Sequence, residues 1–158
     1  MDEAIDLMKD KRTSDIFFET PTRETIKQLR RFLQSDPNRF IRLFHGTSAK
    51  HDVMGKGLLP TSNTRRNSYQ SSNGYVCLTP FPSMARMFGE MAYPGEKVVV
   101  YEVCKVVRNL KPDKDQLVNK RVYSKMDLGS DLAASLVVGH AARVKGKISN
   151  MCICLTEY

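Results

Sequence analysis

No uninterrupted apolar stretch in this 158-residue chain approaches the roughly 20 residues that span a bilayer. The sequence therefore predicts no transmembrane helix and no membrane partner. Its start, Met1-Asp2-Glu3, lacks the basic and apolar segments of a secretory leader. The expectation is a cytoplasmic protein, one that can still act inside a host cell. Cysteine is sparse, and Cys77, Cys104, Cys152 and Cys154 form no C-x-x-C pair. Each lies in an apolar, strand-like run, which predicts reduced, buried thiols. The three histidines stand at no metal-ligand spacing from them, so no metal is expected. Neither an internal repeat nor a linker is visible. Negative charge is short as well: 25 Lys and Arg outnumber 17 Asp and Glu, for a net charge of +8. That balance favours acidic partners such as a nucleotide, a nucleic acid or an acidic protein face. A merely solvated basic surface has the same composition.

What remains is enough for one domain. With 41% hydrophobic residues the chain can bury a core. It reads as one unit over 1–158, with a helical segment at 1–37 and a core at 38–158. Thr20-Pro21 suggests an N-cap followed by proline at the first helical position, opening a helix to about Ser35. Ile26, Leu29 and Leu33 fall on one face of it. Arg23, Lys27, Arg30 and Arg31 fall on another, a stripe able to touch phosphates but most simply solvated. Phe40 to Phe44 reads as a strand delivering His45. A short helix is expected over Ala49 to Met54, stopped by Gly55 and Gly57. Thr61 to Asn73, rich in Ser, Asn, Thr and Arg, reads as a long surface loop.

Tyr75 to Thr79 is the next strand, and Pro82 to Ala92 a helix with Ala85, Phe88 and Ala92 on one face. Lys97 to Val107 is a nearly continuous Val/Tyr/Cys run, suited to a central, covered strand. Asp113 to Tyr123 is polar and fits either state. Gly129-Ser130 opens a helix expected to reach Arg143, with Leu132, Leu136, Val137 and His140 buried. His140 is read there as packing. Lys145 and Lys147 can approach phosphates, and Lys147 to Thr156 closes the chain as an apolar strand. Helices and strands mix without strict alternation, which predicts the α+β class.

The candidate chemistry lies at Phe44-His45-Gly46-Thr47-Ser48. Strand alternation puts His45 on the side of Ile41 and Leu43. Gly46 has no side chain, so a flat ligand can approach its backbone and pair a carboxamide with its N–H and C=O. Thr47 or Ser48 can cap the following helix. A lone strand histidine is more often structural. A second element, Gly74-Tyr75-Val76-Cys77-Leu78-Thr79, changes the balance. It puts Tyr75 and Cys77 on one strand face, where an aromatic ring can stack on a flat heterocycle.

The ordered set Leu43-Phe44-His45-Gly46-Thr47-Ser48, Gly57-Leu58-Leu59-Pro60 and Gly74-Tyr75-Val76-Cys77-Leu78-Thr79, with Ala85 beyond, resembles ADP-ribosyltransferases. The resemblance is to the histidine–tyrosine–glutamate branch, which includes poly-ADP-ribose polymerases and diphtheria-type toxins. It covers about residues 40 to 107 well and the rest loosely. It implies a split antiparallel β-sheet with flanking helices, and NAD, as substrate, in the cleft of the 38–158 core. His45 would bind the adenosine ribose and Gly46 the nicotinamide amide, with Thr47, Ser48 and Thr79 beside them. The family's stacking tyrosine aligns with Cys77, and Tyr75 on the same face is the alternative. The family glutamate, which stabilises the ribosyl cation, would be Glu157, followed by Tyr158. If Asn150-Met151 is the equivalent position, the carboxylate is missing; Glu102, inside the central strand, is the weaker alternative.

The resemblance implies a mono-ADP-ribosyltransferase, an enzyme of the glycosyltransferase class. It would transfer ADP-ribose from NAD to a protein or nucleic-acid target and release nicotinamide. Arg65 and Arg66 in the long loop would contact the target. A catalytically inactive module of the same fold, binding nucleotide, RNA or an acidic protein, is the alternative. A third reading resembles the tRNA 2′-phosphotransferases, using Arg42, Arg65 and Arg66. A small basic transferase without accessory domains also looks like a toxin, an effector or a phage or bacterial modifier of host components.

Overall fold

The computed structural model describes residues 5–6, 22–60, 74–119 and 129–155. The first helix, α1 (Arg23–Ser35), is set by a capping box. Thr22 Oγ1 accepts the Thr25 N–H at 3.1 Å, and Thr25 Oγ1 accepts the Thr22 N–H at 3.0 Å. The cap expected at Thr20 thus moves to Thr22, because only there does a second hydroxyl follow at the third helical position. Thr25, Ile26, Leu29 and Leu33 are buried along one face.

β2 (Phe40–Ser48) runs past the expected end at Phe44. Its partner β4 (Val98–Val106) is equally long, and pairing holds from Phe40 opposite Val106 to Ser48 opposite Val98. His45, Gly46, Thr47 and Ser48 are therefore ladder residues, and neither Thr47 nor Ser48 caps a helix. The cap of α2 (Val53–Lys56) is Asp52, whose side chain accepts the Gly55 N–H at 3.0 Å. The helix expected over Ala49 to Met54 so forms later. Gly55 lies inside it, and Gly57, at φ 78°, ends it.

Two sheets result. The larger has the order β1–β2–β4–β7, with β1 (Ile5–Asp6) parallel to β2 and β7 (Ile153–Leu155) antiparallel to β4. The continuous apolar run of β4 does take an interior position. The smaller sheet has the order β3–β6–β5, all antiparallel: β3 (Tyr75–Leu78), β6 (Ala142–Lys145) and β5 (Lys111–Pro112). Phe44 and Thr79 form an isolated bridge between them. The class is α+β. Among the described residues no helix is long and apolar enough to cross a membrane.

α3 (Pro82–Ala92) has the bounds expected from Pro82 at its first turn. Its buried residues are Ala85 and Gly89, while Phe88 and Ala92 are only half-buried. The cause is close packing of backbone on backbone: a Cβ on Gly89 would come within 3.0 Å of the Gly46 carbonyl carbon. α4 (Lys114–Asn119) resolves the ambiguous polar segment as helical at its start.

The helix expected to reach Arg143 breaks early. α5 (Leu132–Ala134) passes into a π-helical turn, Ser135–Gly139, and His140 turns left-handed at φ 51°. Ser135 enforces the break, its hydroxyl donating to the Ala141 carbonyl at 2.6 Å. The chain then pairs as β6 between β3 and β5. The final strand begins later than the expected Lys147, because a 3₁₀ turn, Asn150–Cys152, precedes β7 (Ile153–Leu155).

The main core draws on both sheets, with Leu29, Ile41, Leu43, Val76, Leu78, Val103, Leu136 and Ile148 almost fully enclosed. Each such side chain contributes roughly 1.5–3 kcal/mol by leaving water, and truncating one to alanine costs roughly 2–5 kcal/mol. On the other face of β2, Phe44, Ala85 and Val100 form a small second cluster beneath α3.

Candidate functional site

β2 and β3 meet at one point. The Phe44 N–H donates to the Thr79 carbonyl at 2.7 Å, and the Thr79 N–H donates to the Phe44 carbonyl at 2.9 Å. Both polar groups of Phe44 therefore face away from β4. Polar groups alternate edges along a strand, so those of Gly46 face away from β4 too. The same alternation holds beyond the strand ends, where Ala49 donates to Lys97 at 2.8 Å and Val107 donates to Arg39 at 3.0 Å.

Just past this junction, His45 reaches across to the smaller sheet. Its Nδ1 lies 2.7 Å from the Cys77 carbonyl oxygen. A carbonyl only accepts, so Nδ1 carries the proton, and in the neutral ring Nε2 is the acceptor. The imidazole is half-buried and stands on the strand opposite Tyr101. His45 and Cys77 are thus brought together as the sequence reading required.

Gly46 has a different neighbour from the one expected above its Cα. A Cβ there would fall inside the Ala85 carbonyl group of α3, 2.7 Å from its carbon. The bare face accommodates a helix, not a flat ligand, which corrects the reading of that face. α3 also packs on the Gly46 carbonyl itself, whose oxygen lies 3.2 Å from where a Gly89 Cβ would stand.

Tyr75 and Cys77 share a face of β3, with Val76 and Leu78 buried on the other. The Arg143 guanidinium carbon sits 4.1 Å from the centre of the Tyr75 ring, a cation–π contact. The Cys77 thiol donates to the carboxylate of Asp113. Asp113 is 2% exposed and also accepts the Gln116 N–H at 3.2 Å. Burial pushes its pKa above the usual carboxylate value, against the pull of those two hydrogen bonds and of Arg143.

The other expected ligand-binding hydroxyls are buried and internally engaged. Thr47 Oγ1 is 2.9 Å from His51 Nδ1. Ser48 Oγ accepts the Lys50 N–H at 3.3 Å and bonds Glu96. Thr79 Oγ1 accepts the Phe81 N–H at 3.3 Å, closing the turn into α3. Glu102 and Arg42 form an ion pair at 3.2 Å on the opposite face of the larger sheet from His45. Glu157, Tyr158, Arg65, Arg66 and the whole Thr61 to Asn73 loop lie outside the described residues. The 3₁₀ turn Asn150–Cys152 before β7 carries no carboxylate.

His140 is at a helix end rather than on a helix face, and it packs edge-on against Phe81 with centroids 5.1 Å apart. The expectation of buried thiols needs correcting: Cys77, Cys104 and Cys152 are half-buried, and Cys154 is exposed. Cys77, Cys104 and Cys154 lie on strand faces that point away from the main core, whereas Cys152 packs against it. Among the described residues no group of three potential ligands is placed to hold a metal ion. Asp113, Ser135 and Arg143 escaped the sequence reading. Arg143 was hidden inside an expected helix, and only the register of β6 reveals it.

Comparison with protein-family models finds no match, and neither curated proteins nor solved structures give one.

Proposed function

We propose that the chain is an ADP-ribosyltransferase-like split-sheet domain that binds NAD between its two sheets and transfers ADP-ribose to a protein or nucleic-acid target. The observation that carries this reading is the pairing of His45 Nδ1 with the Cys77 carbonyl at 2.7 Å, beside a Gly46 backbone edge turned away from β4. One N–H and one C=O on that edge complement a carboxamide. In this reading the imidazole, oriented by the Cys77 carbonyl, stands beside the adenosine ribose. The +8 charge suits a substrate that carries a diphosphate.

In the reaction, the bond between ribose C1′ and the nicotinamide nitrogen breaks, and its electron pair leaves with neutral nicotinamide. A target oxygen or nitrogen then bonds C1′ and gives up its proton. Positive charge develops on the ribose between these events, and a carboxylate there lowers the barrier. This reading assigns that carboxylate to Glu157.

A second reading, a binding module without catalysis, has its own support. Asn150 and Met151, in the turn just before β7, offer no carboxylate, and Cys77 stands where the family places its stacking ring. Incubation with labelled NAD and cell lysate separates the two. Transfer and nicotinamide release, both lost in Glu157→Gln, support the enzyme. NAD binding with no release supports a nucleotide-binding module, and no NAD binding removes the enzyme and that form of the module.

A further inference from the structure

β6 pairs with β3 on one side and β5 on the other, with Cys77 and Lys111 both directly opposite Arg143. Directly paired residues share a sheet face, and so do residues two apart on one strand. Lys111, Arg143 and Lys145 therefore stand with Tyr75 and Cys77 on the side away from Val76, Leu78, Ala142 and Val144. The two lysines are exposed, as surface lysines commonly are. Arg143 differs, with 9% of its surface exposed. Its plane is held by the Tyr75 ring, and Nη1 reaches Asp115 only at 3.4 Å. Its Nε is buried and finds no hydrogen-bond acceptor among the described residues.

A buried guanidinium with an orphan donor is costly, because arginine's donors are strongly hydrated when exposed. Asp113 does not relieve it by hydrogen bonding: its attraction to Arg143 is coulombic only, and Nε reaches no acceptor among the described residues. An anion approaching side-on would engage Nε and a terminal nitrogen together, the bidentate mode arginine favours for phosphate. Arg143 is also one strand away from the carbonyl that holds His45, a spacing of about 4.8 Å.

We propose that Arg143, flanked by Lys111 and Lys145, forms the site that takes the diphosphate of the bound nucleotide. This rests on the nucleotide-binding reading above. Tyr75 holds the guanidinium plane, the buried arginine supplies the directed contacts, and the exposed lysines supply screened attraction.

Calorimetry on the full chain tests it, using NAD, ADP-ribose and inorganic pyrophosphate with wild type, Arg143→Lys, Arg143→Gln and the double variant Lys111→Ala/Lys145→Ala. The expected result is binding of all three by wild type. Arg143→Gln then weakens each roughly 10-fold or more, and Arg143→Lys weakens each less. The lysine variant reduces the salt dependence. Equal NAD and pyrophosphate affinities in wild type and Arg143→Gln overturn the anion site while leaving NAD binding standing. Arg143-dependent pyrophosphate binding without NAD binding supports the anion site and removes the NAD reading. Binding of neither ligand removes both. If Arg143→Gln does not fold, the other two variants decide, and wild-type affinity in both overturns the site.

Discussion

His45 Nδ1 and the Cys77 carbonyl oxygen are 2.7 Å apart, and they belong to different sheets. One side chain thereby fixes its own tautomer and spans the junction at which β2 and β3 part.

Replacing His45 by Ala removes both roles. The expected outcome is a loss of NAD affinity of roughly 10-fold or more, with secondary structure retained. Calorimetry and circular dichroism check the two parts. Unchanged NAD affinity would mean that the imidazole serves the fold alone.

Gly46→Ala is expected to destabilise by about 1–3 kcal/mol, because the new methyl meets the Ala85 carbonyl and one backbone has to give way. Urea unfolding measures it. Wild-type stability would show that α3 does not lie on β2 as described.

Two carboxylates set opposite pH trends. Burial raises the Asp113 pKa in the fold. Its folded form thus binds a proton more readily than its unfolded form, and its contribution to stability declines as pH rises from about the ordinary carboxylate value to the higher folded one. Asp113→Asn should abolish that decline. For Asp131, burial acts upward but is outweighed by the Arg30 hydrogen bond, the Ala134 N–H and the Arg30 charge, so its pKa is lowered. Its contribution is present above the ordinary value and is lost as pH falls through the folded one. Asp131→Ala, which also removes the cap of α5, should cost about 0.5–2 kcal/mol at neutral pH and shrink toward zero in acid. Urea midpoints of the variants and wild type across the acidic range read both slopes. Parallel slopes for the three proteins would contradict the assignment.

Thiol alkylation should follow exposure and burial. Cys154 is exposed and is expected to react first. Cys104, whose pKa is raised chiefly by desolvation, should react slowly at neutral pH. Peptide mass spectrometry after a timed maleimide pulse gives the order. Cys104 labelled as fast as Cys154 would be incompatible with its partly enclosed position.

Legibility in the sequence followed how local the deciding contact was. The bounds of α3 were readable because Pro82 fixes a helix start through its own ring. β4 was readable because its apolar run is broken only by Glu102 and Lys105. β2 was cut short at Phe44 because Gly46, Thr47 and Ser48 look like turn and cap residues; Val98, Val99 and Val100, some 50 positions away, turn them into a strand. The helix meant to reach Arg143 failed for a similar reason. Its apolar spacing is helical through Val137, but the Ser135 hydroxyl and the open flank of β3 divert the chain. At the site, His45 was visible as a strand histidine, although it lies inside β2 rather than at its end. Arg143 was not, since its importance lies in register rather than in any spacing along the chain.

The seat of α3 on β2 sets a gauge for the whole molecule. Ala85 and Gly89 rest against Gly46, and the Phe44–Thr79 bridge lies close by at the other end of the same short connection. The segment from Thr79 through α3 is therefore tied to β2 by main-chain atoms at both points. Drift in surface residues leaves that attachment unaltered, whereas a single added carbon at Gly46 or Gly89 would change it.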